Sequence, residues 1–365
     1  MQMRRKIRVL VVDDSRVFRE IISGGVASDP EIEVVAKAAD PFEARDKILQ
    51  YHPNVMICDV HMPRMNGIEF LRRLLPQYPL PVIVVSTVSS TVFDALNAGA
   101  IDFVIKPDSQ LGNIKRFVEE LVEKIKIAAK AKIVSPRNMS MGGAGTSLFS
   151  HGCGAGNPDG GRRAVSSPKL IAIGASTGGT EAIYRLLRSL RNNVPGIVIV
   201  QHIPPKFSRM FAERLDQTLA FRVKEAQTGD IVESGTVLVA PGDRHMRVKR
   251  SGDQFRVECF WGEKVNRHCP SIDVLFESVA KEAGSQAIGI ILTGMGYDGA
   301  KGLLSMRRKG ARTIGQDEAS SVVYGMPKVA YDLGAVEKQC SLSAMPHILE
   351  RMLLASHPPN DGASG

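Results

Sequence analysis

No apolar run in this chain of 365 residues approaches the roughly 18 consecutive residues that a membrane-crossing helix needs, so no integral membrane segment is expected. The stretch Ile7–Val12, preceded by Arg4, Arg5 and Lys6, is also too short for a secretory leader and runs into Asp13 and Asp14. A cytoplasmic protein is the expectation. Cysteine is sparse: Cys58, Cys153, Cys259, Cys269 and Cys340 are scattered, and no pair has the close spacing of a zinc or redox motif. They read as reduced, structural thiols, and neither His268-Cys269 nor His151-Gly-Cys153 has a second pair to complete a metal site. Concentrated charge is missing as well. The formal net charge of +9 divides into +1 over residues 1–131, +3 over 132–168 and +5 over 169–365. So thin a spread has no basic stripe and argues against nucleic acid as a partner.

What is present fits a soluble globular protein of two α/β domains, since the chain is long for a single core. In residues 1–131, short β-rich runs at 7–12, 34–36, 55–58, 82–85 and 103–105 alternate with amphipathic stretches, the first carrying Val17, Phe18, Ile21, Ile22 and Val26. Five strands alternating with five helices predict a doubly wound parallel sheet. Near-continuous apolar strands such as "VIVVS" suit a sheet covered by helices on both faces. Residues 132–168 are rich in Gly, Ser and Pro and read as a flexible linker. The alternation resumes over 169–355, with predicted strands at 170–173, 197–200, 236–239 and 287–292, and helices near 180–190, 207–219, 271–283 and 299–309. A hairpin turning at Ser251-Gly252-Asp253 is expected as an insertion. Residues 356–365 read as a disordered tail.

Functional groups in such sheets gather at the carboxyl ends of the strands. In the first half Asp13 and Asp14 follow the first strand, Asp59 the third, Ser86 and Thr87 the fourth, and Lys106 the fifth. Three converging carboxylates repel one another unless a divalent cation neutralises them, and oxygen-only ligands suit Mg²⁺. The lysine and hydroxyl then serve a phosphoryl group's oxygens. Taken singly, an Asp after a strand is usually a helix cap, a role open to Asp14 before Ser15. With "VVDDS", "ICDVHMPRMNG", "VVST" and "DFVIKP", the segment resembles a response-regulator receiver domain. That resemblance implies a flavodoxin-like fold with Asp59 as phosphoacceptor. It further implies Mg²⁺ held by Asp13, Asp14, Asp59 and the main-chain carbonyl of His61, phosphoryl contacts from Ser86 and Lys106, and Phe103 at an aromatic switch position.

In the second half "LIAIGASTGGT" runs from a strand into Gly174-Ala-Ser176-Thr-Gly178, which matches the nucleophile-elbow pattern G-x-S-x-G. A dinucleotide-binding turn needs Gly where Ser176 stands, and no suitably placed acid follows about twenty residues on. A plain strand-to-helix turn capped by Ser or Thr is the third reading. His202, just past the second strand in "IVIVQH", and Asp298, in "TGMGYDG" past a later one, favour the nucleophile. Neighbouring parallel strands deliver all three to one sheet edge, as an acyl-transfer triad requires. His202 would take the Ser176 proton, Asp298 would orient the imidazole, and N–H groups beside the serine would hold the oxyanion. The order Ser-His-Asp is not that of the α/β-hydrolases.

The receiver motifs, the linker and then "GASTGGT", "QHIPP", "APGDRHM", "CPSIDVLF", "TGMGYDG" and "GMP" together resemble the chemotaxis response regulator protein-glutamate methylesterases, the CheB family. The resemblance implies Ser176 as nucleophile, His202 as general base and Asp298 as orienting acid, with Thr177 and Met295 at the oxyanion and substrate site. It implies hydrolysis of glutamate γ-methyl esters on cytoplasmic chemoreceptor helices, releasing methanol, with deamidation of selected glutamines as a second activity. Methyl-accepting chemoreceptors are then the substrate and a chemotaxis histidine kinase the phosphodonor, for a monomer needing no cofactor in the catalytic domain. It also implies that the unphosphorylated receiver blocks the active site. Two rivals are weighed beside it. A receiver joined to a transcription factor lacks any helix-turn-helix or basic recognition element here. A phosphorylation-gated signalling adaptor with an inert esterase domain would keep its function without Ser176.

Overall fold

The computed structural model of the protein describes residues 5–87, 91–107, 111–132 and 169–354. The expected linker, apart from Lys132, and the expected tail lie outside the described residues.

The first domain alternates β1 (Ile7–Val12), α1 (Arg16–Ala27), β2 (Ile32–Ala38), α2 (Pro41–Tyr51), β3 (Val55–Asp59), α3 (Gly67–Leu74), β4 (Val82–Ser86), α4 (Val92–Asn97), β5 (Asp102–Ile105) and α5 (Leu111–Ala128). Its sheet has the order β2-β1-β3-β4-β5, with every pairing parallel. All residues of β3 and β4 are buried, because helices cover both faces. Local chemistry sets the boundaries. Ser15, not Asp14, caps α1: its side chain accepts from the N–H of Phe18, which leaves the exposed Asp14 carboxylate out of the cap. Asp40 caps α2 by accepting from the N–H groups of Phe42 and Glu43, one residue before Pro41 at the first helical position.

The second domain contains β6 (Leu170–Ala175), α6 (Gly179–Arg188), β7 (Gly196–Gln201), α7 (Phe207–Thr218), β8 (Arg222–Glu225), β9 (Thr236–Val239), β10 (His245–Ser251), β11 (Gln254–Phe260), α8 (Ile272–Glu282), β12 (Ala287–Ile291), α9 (Ala300–Arg308), β13 (Arg312–Gln316), α10 (Met326–Asp332), β14 (Lys338–Cys340) and α11 (Met345–Leu354). Seven strands form one parallel sheet in the order β14-β13-β12-β6-β7-β9-β8. The expected hairpin is β10-β11, an antiparallel pair in which Ser251 faces Gln254 and Gly252 takes a φ of 62° in the turn. It packs on α8, where the N–H of Val248 donates to Ser278 Oγ.

Periodicity missed β8, β13, β14, α10 and α11. "RVKE" is half exposed and charged at the sheet edge, β14 has three residues, and "RTIGQ" opens and closes on polar residues although the sheet buries its middle. What matters for function is the middle of the sheet. Strands β12, β6 and β7 are adjacent, so the loops after them, carrying Asp298, Ser176 and His202, leave from one edge.

The first domain packs against that edge. Phe93 of α4 stacks on Phe211 with ring centroids 5.9 Å apart, and Phe103 of β5 lies 4.7 Å from Phe207. All four rings are buried, each contributing about 1.5–3 kcal/mol through apolar burial. The Arg214 guanidinium covers the Phe93 ring at 5.5 Å and donates to Asn97.

Gly174, next to the last residue of β6, has no room for a methyl group because Ile272 at the start of α8 presses on it. Gly174→Ala is therefore expected to destabilise the second domain by about 1–3 kcal/mol, read as a lower urea midpoint with an unchanged slope.

Candidate active site

The acidic group of the first domain forms as the strand ends predict. Carboxylate oxygens of Asp13, Asp14 and Asp59 lie within 4.8 Å of one another, Asp13 and Asp59 buried and Asp14 exposed. Lys106 Nζ is 2.8 Å from Asp13 Oδ2 and 2.7 Å from Asp59 Oδ2. Burial alone would lower the lysine's pKa, but these two carboxylates outweigh it and the pKa is raised. Asp13 is pushed up by burial, and the neighbouring Asp59 adds to that, against the pull of Lys106. One lysine cannot neutralise three carboxylates, so the hard-oxygen cluster fits a divalent cation such as Mg²⁺. Ser86, buried at the end of β4, shares a 3.4 Å contact with Thr91 Oγ1, and its carbonyl accepts from the N–H of Lys106. The N–H of His61 donates to Asp59 Oδ1 at 3.3 Å.

In the second domain the Asp298 carboxylate is buried and accepts from five donors. Oδ2 receives the N–H of Ile272 at 2.7 Å and faces His202 Nε2 at 2.9 Å. Oδ1 receives Asn266 Nδ2 at 2.7 Å, Ser271 Oγ at 2.8 Å and the N–H of Asp273 at 3.3 Å. Ser271 stands at the N-cap position of α8 without a side-chain capping bond, and the next two residues begin the helix, so its unpaired N–H groups and its dipole converge on the Asp298 anion. Burial alone would raise the Asp298 pKa, but His202, Asn266 and Ile272 hold it down at about 2. An ionised carboxylate only accepts, so His202 Nε2 must carry the proton. In the neutral ring Nδ1 is then the basic atom, and it is buried with no hydrogen-bond partner among the described residues.

Ser176 lies in the turn after β6, held by its N–H donating to the Thr293 carbonyl at 3.0 Å and its own carbonyl accepting Gln201 Nε2 at 2.9 Å. Gly178 takes a φ of 75°, which lets the chain turn into α6. Gly294 passes so close that a methyl group there would meet Ser176 Cβ at 2.6 Å. Ser176, Thr177, His202 and His268 line one cavity together with Asp102 and Phe103 of the first domain. No hydrogen bond joins Ser176 Oγ to His202 among the described residues, although both line the cavity. The Ser176 N–H itself is committed to the Thr293 carbonyl. The N–H groups of Thr177 and Met295 have no intramolecular acceptor among the described residues, which leaves both available for an oxyanion.

Sequence reasoning did not single out Asn266, Ser271, Gln201 or Asp102 for the site. Ser271, Gln201 and Asp102 lay inside the motifs "CPSIDVLF", "QHIPP" and "DFVIKP", whereas Asn266 lies in none, and the partners of Asn266 and Asp102 are 32 and 75 residues away in sequence. His268, weighed only as a metal ligand, stacks on His202 with centroids 3.6 Å apart and planes 8° from parallel. Burial, and then His202, lower its pKa to about 4, so it is neutral at neutral pH. Its folded pKa lies below the ordinary value, so this group's contribution to stability is complete above about pH 6.5 and is lost as the pH falls toward 4. The His268 ring resonances are expected to titrate near pH 4 in NMR spectra of the folded protein. A fluorophosphonate probe is expected to label Ser176, to lose labelling in Ser176→Ala, and to react at least about 100-fold more slowly in Asp298→Asn.

The CheB methylesterase family model matches residues 171–349, and the response regulator receiver domain model matches residues 9–116. A protein-glutamate methylesterase/protein-glutamine glutaminase 2 of Syntrophomonas wolfei is 55% identical over 96% of this chain and 98% of its own. The protein-glutamate methylesterase/protein-glutamine glutaminase of Escherichia coli strain K12 is 46% identical over 95% of this chain and 96% of its own. Identity at this level along nearly the whole of each chain covers both domains and the order in which they are joined. The chain therefore belongs to the protein-glutamate methylesterase/protein-glutamine glutaminase family, the CheB methylesterases that carry a receiver domain ahead of the esterase domain.

Proposed function

We propose that the protein hydrolyses glutamate γ-methyl esters on the cytoplasmic helices of chemoreceptors and deamidates selected glutamines there. Phosphorylation of the receiver at Asp59 switches the activity on. The observation that carries this reading is the Asp298–His202 pair on loops flanking the Ser176 turn, beside free main-chain N–H groups.

His202 Nδ1 takes the Ser176 hydroxyl proton as Oγ attacks the ester carbonyl, and Asp298 stabilises the imidazolium that forms. The carbonyl π pair moves onto oxygen, where the N–H groups of Thr177 and Met295 receive it. When the tetrahedral centre collapses, the C–O bond to methoxide breaks and His202 returns its proton, releasing methanol and leaving an acyl ester on Ser176. Water then repeats the sequence: His202 deprotonates it, hydroxide adds, and Ser176 leaves with the proton, freeing the glutamate carboxylate. With a glutamine side chain the first leaving group is ammonia. Each step balances without a metal.

In the receiver, Asp13, Asp14, Asp59 and the His61 main-chain carbonyl would hold Mg²⁺, which supplies charge neutralisation for phosphoryl transfer to Asp59. Ser86 and Lys106 would take the phosphoryl oxygens, and the donor would be a chemotaxis histidine kinase. The block on the esterase is local. The hydroxyl of Thr177, adjacent to the nucleophile, donates to Asp102 Oδ2 at 3.3 Å. Lys124 Nζ holds that aspartate at 2.7 Å and covers the neighbouring Phe103 ring, which packs on Phe207. A phosphoryl group adds roughly two negative charges beside Lys106 and Ser86, one strand from Phe103, and biases this packing toward release.

Methanol release from methyl-esterified receptor membranes should depend on Ser176, and should rise with Mg²⁺ and a small phosphodonor only when Asp59 is present. An adaptor would give no methanol while retaining phosphorylation. Asp102→Ala should raise the unphosphorylated rate several-fold and leave the phosphorylated rate within about twofold, as measured by the same assay.

A further inference from the structure

Residues 261–270 connect the hairpin to α8 and are anchored at several points. His245 Nε2 donates to the Glu263 carbonyl at 2.8 Å, and His245 Nδ1 accepts the N–H of Ser271 at 3.2 Å. Val265 and His268 exchange both backbone hydrogen bonds, at 3.0 and 2.9 Å, closing a tight turn. Its two central residues, Asn266 and Arg267, have φ values of 51° and 72°, left-handed conformations that side chains other than glycine rarely adopt. Such strain persists only where the surroundings enforce it, and it commonly marks functional segments. Here the turn has two products. Asn266 bridges Asp298 and Asp273, with 2.7 Å to each, and the His268 ring lies flat on the ring of His202.

His202 needs this second contact. Among the described residues its one side-chain hydrogen bond runs from Nε2 to Asp298. A single such bond leaves the imidazole free to rock about the line between those two atoms, and rocking would swing Nδ1 away from the serine. A parallel ring at 3.6 Å closes that motion from one face. Its uncharged π face also suits the imidazolium that forms when His202 takes a proton.

Resting on the reading of the second domain as a serine esterase, we propose that His268 is a positioning residue. Its stacked ring fixes the orientation of His202 and so keeps Nε2 on the Asp298 carboxylate, which sets the tautomer, and its own nitrogens take no part in proton transfer. The strained Asn266-Arg267 turn exists to place that ring.

The test uses the full-length protein with Mg²⁺ and acetyl phosphate, p-nitrophenyl acetate as the ester probe, and ¹⁵N spectra of the His202 ring. His268→Ala should lower kcat by about 10- to 100-fold with KM within about twofold, since misplacing a proton-transfer group acts on the reacting geometry. His268→Phe should recover kcat to within about threefold of the parent, because it restores a flat ring without nitrogens. The ¹⁵N shifts of His202 should show one tautomer, with the proton on Nε2, in the parent and in His268→Phe, and averaged tautomers in His268→Ala. If the alanine variant does not fold, His268→Leu takes its place as the variant that fills the space without a flat ring. The proposal is overturned if His268→Ala keeps kcat within twofold, or if His268→Phe is as slow as His268→Ala, which would make a ring nitrogen the working part. A parent no faster than Ser176→Ala would sink the esterase reading instead, while the ¹⁵N comparison still decides the role of His268.

Discussion

The buried Asp298 carboxylate is the interaction on which the second domain's chemistry depends. Removing a carboxylate from water is costly unless hydrogen bonds replace the lost hydration, and here the start of α8 replaces it with main-chain N–H groups, aided by Ser271 and Asn266. That arrangement keeps Asp298 ionised, and an ionised Asp298 determines which nitrogen of His202 bears hydrogen. From there the proposed reaction follows outward: Nδ1 would be the base, and the cavity lined by His202 and Ser176 would take the substrate carbonyl. Close approach of Gly294 to Ser176, and of Gly174 to Ile272, shows how little slack the surrounding backbone leaves.

The two domains solve the same electrostatic problem in opposite ways. In the esterase domain a single carboxylate is fully satisfied by donors and serves as a fixed negative pole. In the receiver Asp13 and Asp59 share one lysine with the exposed Asp14 close by, and the cluster stays short of positive charge. The interface lies between these sites. Asp102 touches Thr177 next to the nucleophile, and Phe103, one residue along β5, packs between Lys124 and Phe207. Only β4 separates β3, which ends in Asp59, from β5, whose Asp102 and Phe103 border the esterase cavity.

Much of this was legible in the sequence, for a physical reason. Parallel α/β sheets place function at strand ends, so an Asp, Ser, His or Lys after an apolar run carries positional information. Asp13, Asp59, Lys106, Ser176 and His202 could all be located that way. Asp298 was legible through the glycines around it. What spacing could not show was how loops fold back. The role of Asn266 depends on a left-handed turn, that of His268 on ring stacking, and that of Asp102 on contact between domains. The strands β8, β13 and β14 were missed because short or polar-ended strands resemble loops when read by periodicity alone.

The central claim is that Ser176 is acylated by the substrate. Acid quenching of the phosphorylated protein with a methyl-esterified receptor peptide, followed by peptide mass spectrometry, tests it most directly. The account predicts a transient adduct on the peptide containing Ser176, equal in mass to the substrate less methanol and absent from Ser176→Ala. Turnover to methanol with no adduct at any quench time, and with Ser176→Ala as fast as the parent, would contradict it.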